Sequence, residues 1–268
     1  MTYLSISDLS IVLIEPSVTQ LKIILNHLHE EGVVNIQGVS SGEQAIALLE
    51  NYQPDLIISS MYLPDMTATE LFSSIKSSPQ FENTVCMLIS SETNLAALEP
   101  IRQSGVVAIL PKPFNHSDLK RALRATIELV EPEEIHLDSY DIENIRVLVV
   151  DDSIMSLKHI TRILNNMGIN SVSTARNGKE ALQIFSDNNE SFDLIVTDYN
   201  MPEMDGEALI KSIRDTLDNR FIPILMVTSE ANEKRLSRVQ QAGVSAICDK
   251  PFEPMNIREM LFRLLEQH

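Results

Sequence analysis

Three acidic side chains in the second half of the chain each lie where a buried strand is expected to end. Asp151 and Asp152 follow the predicted strand 146–150, and Asp198 follows the apolar run 194–196. Carboxyl ends of parallel strands meet at the ligand-binding edge of an open sheet, so we expect the three carboxylates to lie close together. Because such groups repel one another, their arrangement is stable when a hard divalent cation such as Mg²⁺ lies between them.

A hydroxyl group and a lysine follow the next two predicted strands. The strand at 222–228 ends in Thr228, and the strand at 244–248 is followed by Lys250. Together with the acids, these side chains are suited to phosphoryl transfer. Asp198 would be the nucleophile, the cation and Lys250 would neutralise charge on the phosphoryl oxygens, and Thr228 would hydrogen-bond one of them.

Short apolar strands alternate along the whole chain with helical segments of about 10 to 15 residues, which is typical of βαβ crossovers and a parallel sheet covered on both faces. The pattern occurs twice. The matching segments are 11–17 with 147–153, 54–60 with 192–198, 87–92 with 226–230, and 111–114 with 249–252. We therefore predict an α/β domain at 1–130 and a second at 145–268. Residues 131–144 carry six acids, one proline and no lysine or arginine, and we expect them to form an acidic linker.

The second half closely resembles the receiver domains of two-component response regulators. The resemblance covers about residues 144–268 and depends on D-D-S at 151–153, T-D-Y-N-M-P-E-M-D-G at 197–206, T-S at 228–229 and D-K-P-F at 249–252. It implies that the fold consists of two doubly wound, five-stranded parallel (βα)5 flavodoxin-like receiver domains in tandem.

The resemblance also assigns roles at the site. It implies that Asp198 is the phosphoacceptor and that Thr228 and Lys250 act with it. It gives Mg²⁺ the side chains of Asp152 and Asp198, with Asp151 binding directly or through water, and the backbone carbonyl of Asn200. It further implies a cis peptide bond between Lys250 and Pro251, whereas we expect Asp205 and Gly206 to have a structural role in a turn.

Two features bear on regulation. Asn200 and Glu230 occupy positions that tune hydrolysis of the acyl phosphate in this family, and their polar character resembles the chemotaxis type, which suggests rapid dephosphorylation. Ile247 lies where many receivers carry a switching tyrosine or phenylalanine. The resemblance therefore supports phosphorylation better than it supports the usual aromatic switch.

The first half has lost most of this chemistry. Glu15 and Pro16 replace the paired aspartates, and Ser60 replaces the acceptor, whereas Ser90 and Lys112 remain. A proline side chain cannot ligate a metal, and a serine without an adjacent base is a poor nucleophile. We predict a degenerate pseudo-receiver in which Lys112 forms a salt bridge with Glu15.

A fold retained without its chemistry suggests a role in binding. The segment 95–101 lies where receivers present a signalling face, and it is unusually apolar. One interpretation is that the first domain forms a homodimer or docks on a partner through this face. The other is that Leu95 and Leu98 are simply buried against the sheet.

These observations favour a response regulator without a DNA-binding or enzymatic output domain. It would take its phosphoryl group from a histidine kinase or phosphotransfer protein and signal by contact with a downstream protein target. Its only catalytic activity would be dephosphorylation of itself. An alternative is a scaffold or adaptor that is never phosphorylated. A phosphohydrolase of the haloacid dehalogenase type is disfavoured because that family needs D-x-D, whereas here the two acids are adjacent.

Composition limits the partners and the location. A formal net charge of −17 disfavours binding to nucleic acid or to anionic membranes. Because neither a membrane-spanning run nor a signal peptide is evident, we expect a cytoplasmic protein. The two cysteines, Cys86 and Cys248, fall in predicted strands and should be buried thiols. The six histidines show no ligand spacing, and the sequence gives them no role.

Overall fold

The computed structural model describes residues 4–130, 142–187, 192–216, 222–230, 232–251 and 254–266. Contacts divide the chain into two compact units, Met1–Pro132 and Glu133–His268. Most of the predicted linker, 131–141, lies outside the described residues, so the linker and the domain limits on either side of it stay predictions. The last part of that range, Ile142–Asn144, forms a short 3₁₀-helix.

The first unit is a parallel sheet of five strands in the order β2-β1-β3-β4-β5, with helices between successive strands. Its strands are β1 (Ser10–Ile14), β2 (Asn35–Val39), β3 (Leu56–Ser60), β4 (Val85–Ser90) and β5 (Ala108–Pro111). Its helices are α1 (Val18–Glu30), α2 (Gly42–Leu49), α3 (Ala68–Lys76), α4 (Leu95–Arg102) and α5 (His116–Val130), and a 3₁₀-helix at Ile6–Asp8 precedes β1.

The second unit repeats this topology, with the strand order β10-β9-β8-β6-β7. Its strands are β6 (Arg146–Val150), β7 (Ser171–Ala175), β8 (Leu194–Thr197), β9 (Ile224–Thr228) and β10 (Ala246–Asp249). Its helices are α6 (Ile154–Asn166), α7 (Gly178–Asp187), α8 (Gly206–Thr216), α9 (Glu233–Gln241) and α10 (Pro254–Glu266). The predicted fold of two doubly wound (βα)5 units is confirmed.

A serine at the equivalent position caps the first helix of each unit, shortly after the first strand ends. The hydroxyl oxygen of Ser17 accepts a hydrogen bond from the backbone N–H of Gln20, and that of Ser153 accepts one from the N–H of Ser156. Such N-caps satisfy donors that have no partner within the helix. Each cap therefore fixes the strand-to-helix turn that carries Glu15 in one unit and Asp151 in the other.

The central strands of both sheets are buried almost throughout, as expected when helices cover both faces. In the first unit, Phe72 on α3 is fully buried and packs with residues of β1, β3 and β4. The apolar segment on α4 contributes to this core, because Leu98 and Ile101 are both buried. Those two side chains are thus part of the core and do not form an exposed docking face, whereas the side chain of Leu95 lies outside what the structure describes.

Both cysteines lie in strands, as the sequence predicts. Cys86 and Cys248 are buried free thiols, and burial raises the pKa of the Cys86 thiol. Within the described residues, none of the helices combines the length and apolar character that crossing a membrane requires.

Replacing Phe72 with alanine tests the core of the first unit. We expect Phe72→Ala to lower the free energy of unfolding of this unit by about 3–5 kcal/mol, because a buried ring is lost and a cavity remains. Ile23→Ala on α1, where the side chain is 46% exposed, is the control and should have little effect. Urea unfolding measures both, and equal losses for the two variants would contradict the assignment.

Candidate functional site

Backbone hydrogen bonds at the end of the second sheet place two acidic residues side by side. The N–H of Asp198 donates to the carbonyl of Val150 at 2.8 Å, and the N–H of Asp151 donates to the carbonyl of Ala175 at 3.1 Å. Both residues therefore continue the ladder just beyond the strand ends. Asp152 completes the group, since carboxylate oxygens of the three aspartates all lie within 4.8 Å of one another.

A buried lysine neutralises part of this charge. The backbone N–H of Lys250 donates to the carbonyl of Thr228 at 3.0 Å, which fixes the residue at the end of β9. Its Nζ lies 2.8 Å from Oδ2 of Asp151 and 3.3 Å from Oδ2 of Asp198, and the side chain is 3% exposed. The cis peptide expected between Lys250 and Pro251 is present. The structure thus brings together the lysine and the acids that were predicted to act with it.

The electrostatics of the group favour the binding of a cation. Burial raises the pKa of Asp198 to about 6, against the opposing charge of Lys250 and with a further contribution from Asp151. Burial also raises the pKa of the Asp151 carboxyl. Burial disfavours the charged form of Lys250, but the carboxylates of Asp198 and Asp151 outweigh it and raise the pKa of the ammonium group. A positive ion beside the carboxylates would offset the cost of keeping them ionised.

The donors present fit a hard divalent ion. Three carboxylates and one ammonium group leave a formal charge of −2, which matches a single Mg²⁺. Apart from its ion pair with Lys250, Oδ2 of Asp198 is buried without a hydrogen-bond partner among the described residues. The other oxygen, Oδ1, accepts a hydrogen bond from the N–H of Tyr199 at 2.8 Å. Oδ1 is therefore held by the backbone, and Oδ2 lies beside the ammonium group of Lys250.

Thr228 and Asn200 lie at the same edge of the sheet. Thr228 is fully buried, and its Oγ1 accepts a hydrogen bond from the N–H of Glu230 at 3.0 Å. The carboxylate of Glu230 is paired with Arg235 at 2.6 Å. Asn200 is exposed two residues beyond Asp198. The use of its carbonyl as a metal ligand and the role of Thr228 toward phosphate stay predictions.

The loop after Asp198 requires glycine at position 206. A Cβ atom there would clash with the backbone carbonyl oxygen of Asp198. The N–H of Gly206 donates to the carbonyl of Tyr199 at 2.9 Å, and Oδ1 of Asp205 accepts from the N–H of Ala208 at 2.8 Å. The structural role expected for Asp205 and Gly206 thus consists of capping α8 and packing it closely against the backbone of Asp198.

The corresponding pocket of the first unit is closed by its own side chains. Oε2 of Glu15 accepts hydrogen bonds from the Ser60 hydroxyl and from Nζ of Lys112, the latter at 2.7 Å. Burial by itself would raise the pKa of the Glu15 carboxyl, but these hydrogen-bond partners hold that pKa below the usual range. The predicted salt bridge between Lys112 and Glu15 is present. One carboxylate balanced by one ammonium group leaves no excess charge for a metal ion.

Sequence reasoning missed a cavity beside the acidic group. Tyr199 and Asn200 line it together with Glu207, Arg235 and Arg238. Tyr199 is buried, with its hydroxyl 3.5 Å from Oε2 of Glu207, and burial raises the pKa of the phenol. The signal in the sequence that could have indicated the cavity is the aromatic residue directly after Asp198. Ile247, at the position of the usual aromatic switch, packs at the edge of the core.

Substituting Gly206 tests the close approach to Asp198. We expect Gly206→Ala to destabilise the second unit by roughly 1–3 kcal/mol, because the methyl group can be accommodated only by shifting the backbone that carries the acid. Gly38→Ala in the first unit is a control, since its Cβ would meet only the flexible side chains of Leu21 and Leu25, the nearest atom at 3.3 Å. Thermal unfolding reports both, and an unchanged transition for Gly206→Ala would show that the loop tolerates the group.

Comparison with known proteins agrees with the geometry. The family model for the response regulator receiver domain matches residues 11–124 and again residues 147–262. Chemotaxis protein CheY-3 of Vibrio cholerae is 34% identical over 125 residues, which cover 47% of this chain and 95% of that protein. Chemotaxis protein CheY of Pseudomonas aeruginosa is 33% identical over 122 residues, covering 46% and 97%.

Solved structures include a similar domain. The chemotaxis response regulator CheY4 of Vibrio cholerae is 34% identical, with a TM-score of 0.41, and the match covers 45% of this chain and 98% of that one. The two matches to the family model together span most of the sequence. The chain therefore belongs to the response regulator receiver family, and it is a two-component response regulator with two CheY-like domains in tandem, the first of them degenerate.

Proposed function

We propose that the second unit accepts a phosphoryl group on Asp198, and that the first unit is a non-phosphorylated module for protein contact. The observation that supports this most directly is the buried carboxylate of Asp198, which lies beside Lys250 and among two further acids at the sheet edge. The donor would be the phosphohistidine of a histidine kinase or of a phosphotransfer protein.

The side chains divide the work of the transfer. A carboxylate oxygen of Asp198 attacks phosphorus as the P–N bond to the donor histidine breaks, and the imidazole leaves. The ammonium group of Lys250 balances charge on the phosphoryl oxygens, and the Thr228 hydroxyl donates a hydrogen bond to one of them. Asp151, Asp152 and Asp198, together with the carbonyl of Asn200, would hold Mg²⁺, which would supply further neutralisation of the transferred group.

Hydrolysis of the acyl phosphate returns the unit to its starting state, and it is the only catalytic activity we assign to the protein. Glu230, at a position that tunes this step in the family, is tied by its carboxylate to Arg235 at 2.6 Å. Rapid dephosphorylation stays a hypothesis. A half-life of hours for the phosphorylated protein would contradict it.

The first unit has no equivalent acceptor. Its Ser60 hydroxyl is occupied as a donor to Glu15, and Pro16 offers no side-chain ligand. Contact with a downstream protein, or with a second copy of the chain, is the role that remains for this unit. The burial of Leu98 and Ile101 removes two apolar side chains from the α4 face first considered for a homodimer.

Phosphorylation by a small-molecule donor tests the proposal. We expect acetyl phosphate with Mg²⁺ to produce one phosphorylated species, seen as a band of reduced mobility in a Phos-tag gel. Asp198→Asn should abolish this band because the nucleophile is lost, and Ser60→Ala should leave it unchanged. Lys250→Ala should reduce the yield by at least about tenfold, because the charge on the transferred group is then less well balanced.

The matched pair of variants also separates the alternatives. A band that persists in Asp198→Asn but disappears in Ser60→Ala would place the acceptor in the first unit. A wild-type protein that gives no band with acetyl phosphate or with any phosphorylated kinase would favour the scaffold or adaptor interpretation.

Stability measurements test the electrostatic argument separately. The pKa of Asp198 is raised on folding from an ordinary aspartate value to about 6, so ionisation opposes folding, and the loss of stability is complete above that pH. In Mg²⁺-free buffer at neutral pH, Asp198→Asn should therefore stabilise the second unit by roughly 1–3 kcal/mol. Thermal unfolding should also show that Mg²⁺ stabilises the wild type more than this variant. An Asp198→Asn variant less stable than the wild type would contradict the argument.

A further inference from the structure

A second cluster of side chains that can bind metal lies in the first unit, outside the Glu15 pocket. His27 and Glu30 lie three residues apart near the end of α1, where such spacing places them on one side of the helix. His116 is the first residue of α5. The chain positions are far apart, yet a donor atom from each of the three residues lies within 4.8 Å of the other two.

The distances between these donors resemble those around a single tetrahedral ion. Two ligand atoms each about 2.0–2.1 Å from zinc are about 3.3 Å apart, and two imidazoles on one such ion have centroids about 5 Å apart. Here Nε2 of His116 lies 3.2 Å from Oε2 of Glu30, and the rings of His27 and His116 have centroids 5.0 Å apart. The donor atoms of the three residues are thus close enough together for one ion to bind all of them.

A carboxylate already orients one of the imidazoles. Oε1 of Glu31 lies 3.1 Å from Nδ1 of His116, and the side chain of Glu31 is only 10% exposed. A histidine that donates through Nδ1 to a carboxylate presents Nε2 as a free ligand atom, which is the usual arrangement around a metal-bound histidine. The partner of Nε2 in the structure is Glu30, itself a candidate ligand.

The His27 ring is also held in place. Its plane meets the ring of Phe114 edge-on at a centroid distance of 5.7 Å. Its Nδ1 is buried and has no hydrogen-bond partner among the described residues. A buried ring nitrogen of this kind is costly unless a proton donor or a ligand satisfies it.

From this geometry, we propose that the first unit binds one divalent transition-metal ion of the Zn²⁺ type through His27, Glu30 and His116. Imidazole with carboxylate suits zinc and its neighbours, whereas Mg²⁺ prefers ligand sets made only of oxygen, such as the aspartates of the second unit. His116 and Glu30 are 55% and 61% exposed, so an ion can enter from solvent and water can complete its coordination.

The bound ion would tie the end of α1 to the start of α5. An ion that binds only the folded state stabilises that state by mass action. The first unit would therefore gain stability from zinc, whereas its Glu15 pocket would gain none from magnesium. The competing explanation is a protonated His116 that bridges Glu30 and Glu31 as a simple surface ion pair.

Cobalt(II) absorbance on the full-length chain tests the site. In the presence of excess Mg²⁺ to occupy the aspartates, one equivalent of Co²⁺ should give the strong visible d–d bands of four- or five-coordinate cobalt, and Zn²⁺ should displace it. His27→Ala and His116→Ala should each abolish these bands. Glu31→Gln should weaken binding by about 10- to 100-fold, because it orients a ligand but does not supply one. His29→Gln, on the same helix but outside the cluster, is the control.

Thermal unfolding separates the two explanations. Zn²⁺ should raise the transition of the first unit in the wild type and in His29→Gln but not in His27→Ala or His116→Ala, each protein being compared with itself without metal. The weak spectrum of octahedral cobalt, bands that persist in both alanine variants, or a wild-type transition that does not respond to Zn²⁺ would each overturn the proposal. Neither measurement depends on phosphorylation, so the result stands apart from the function proposed for Asp198.

Discussion

The ammonium group of Lys250 is shared by Asp151 and Asp198, and the organisation of the second unit depends on this contact. Without a nearby positive charge, two carboxylates this deeply buried would not both stay ionised. Backbone hydrogen bonds fix the positions of these side chains. Hydrogen bonds from Asp198 to Val150 and from Lys250 to Thr228 fix both residues directly beyond their strands. Strand register, and not loop conformation, therefore positions the charged side chains.

The remaining imbalance of charge makes the site suited to a cation. One lysine offsets only part of the charge of three aspartates, so the pocket is incomplete as a set of protein side chains. Close packing at Gly206 adds a steric constraint, because α8 begins directly against the backbone carbonyl of Asp198. Chemistry at Asp198 is thereby adjacent to a helix and to the cavity lined by Tyr199 and Arg235.

Much of the architecture was predictable because it depends on patterns local in sequence or repeated within it. Alternation of apolar strands and amphipathic helices predicted both sheets, and the internal repeat predicted that Glu15, Ser60 and Lys112 lie at one edge of the first sheet. Their mutual contact followed from parallel topology, in which every strand end reaches the same edge.

What the sequence could not reveal depends on side-chain contacts between distant helices. His27 and His116 are ordinary as separate residues, and only the packing of the first unit brings their rings together. The apolar character of α4 was ambiguous for a related reason. Periodicity shows that a helix has an apolar face, but it does not show whether that face is covered, and here Leu98 and Ile101 turn toward the sheet.

Glu15 has one methylene group more than the aspartate that occupies its place in the other unit, and its carboxylate serves both a hydroxyl and an ammonium donor. The negative charge of the first pocket is thus balanced by a side chain of the same unit, Lys112. With the function proposed for Asp198, magnesium or a phosphodonor would act on the second unit alone, because the carboxylate of Glu15 is already paired with donors of its own unit. The chain would then join one domain that changes state to one that stays the same.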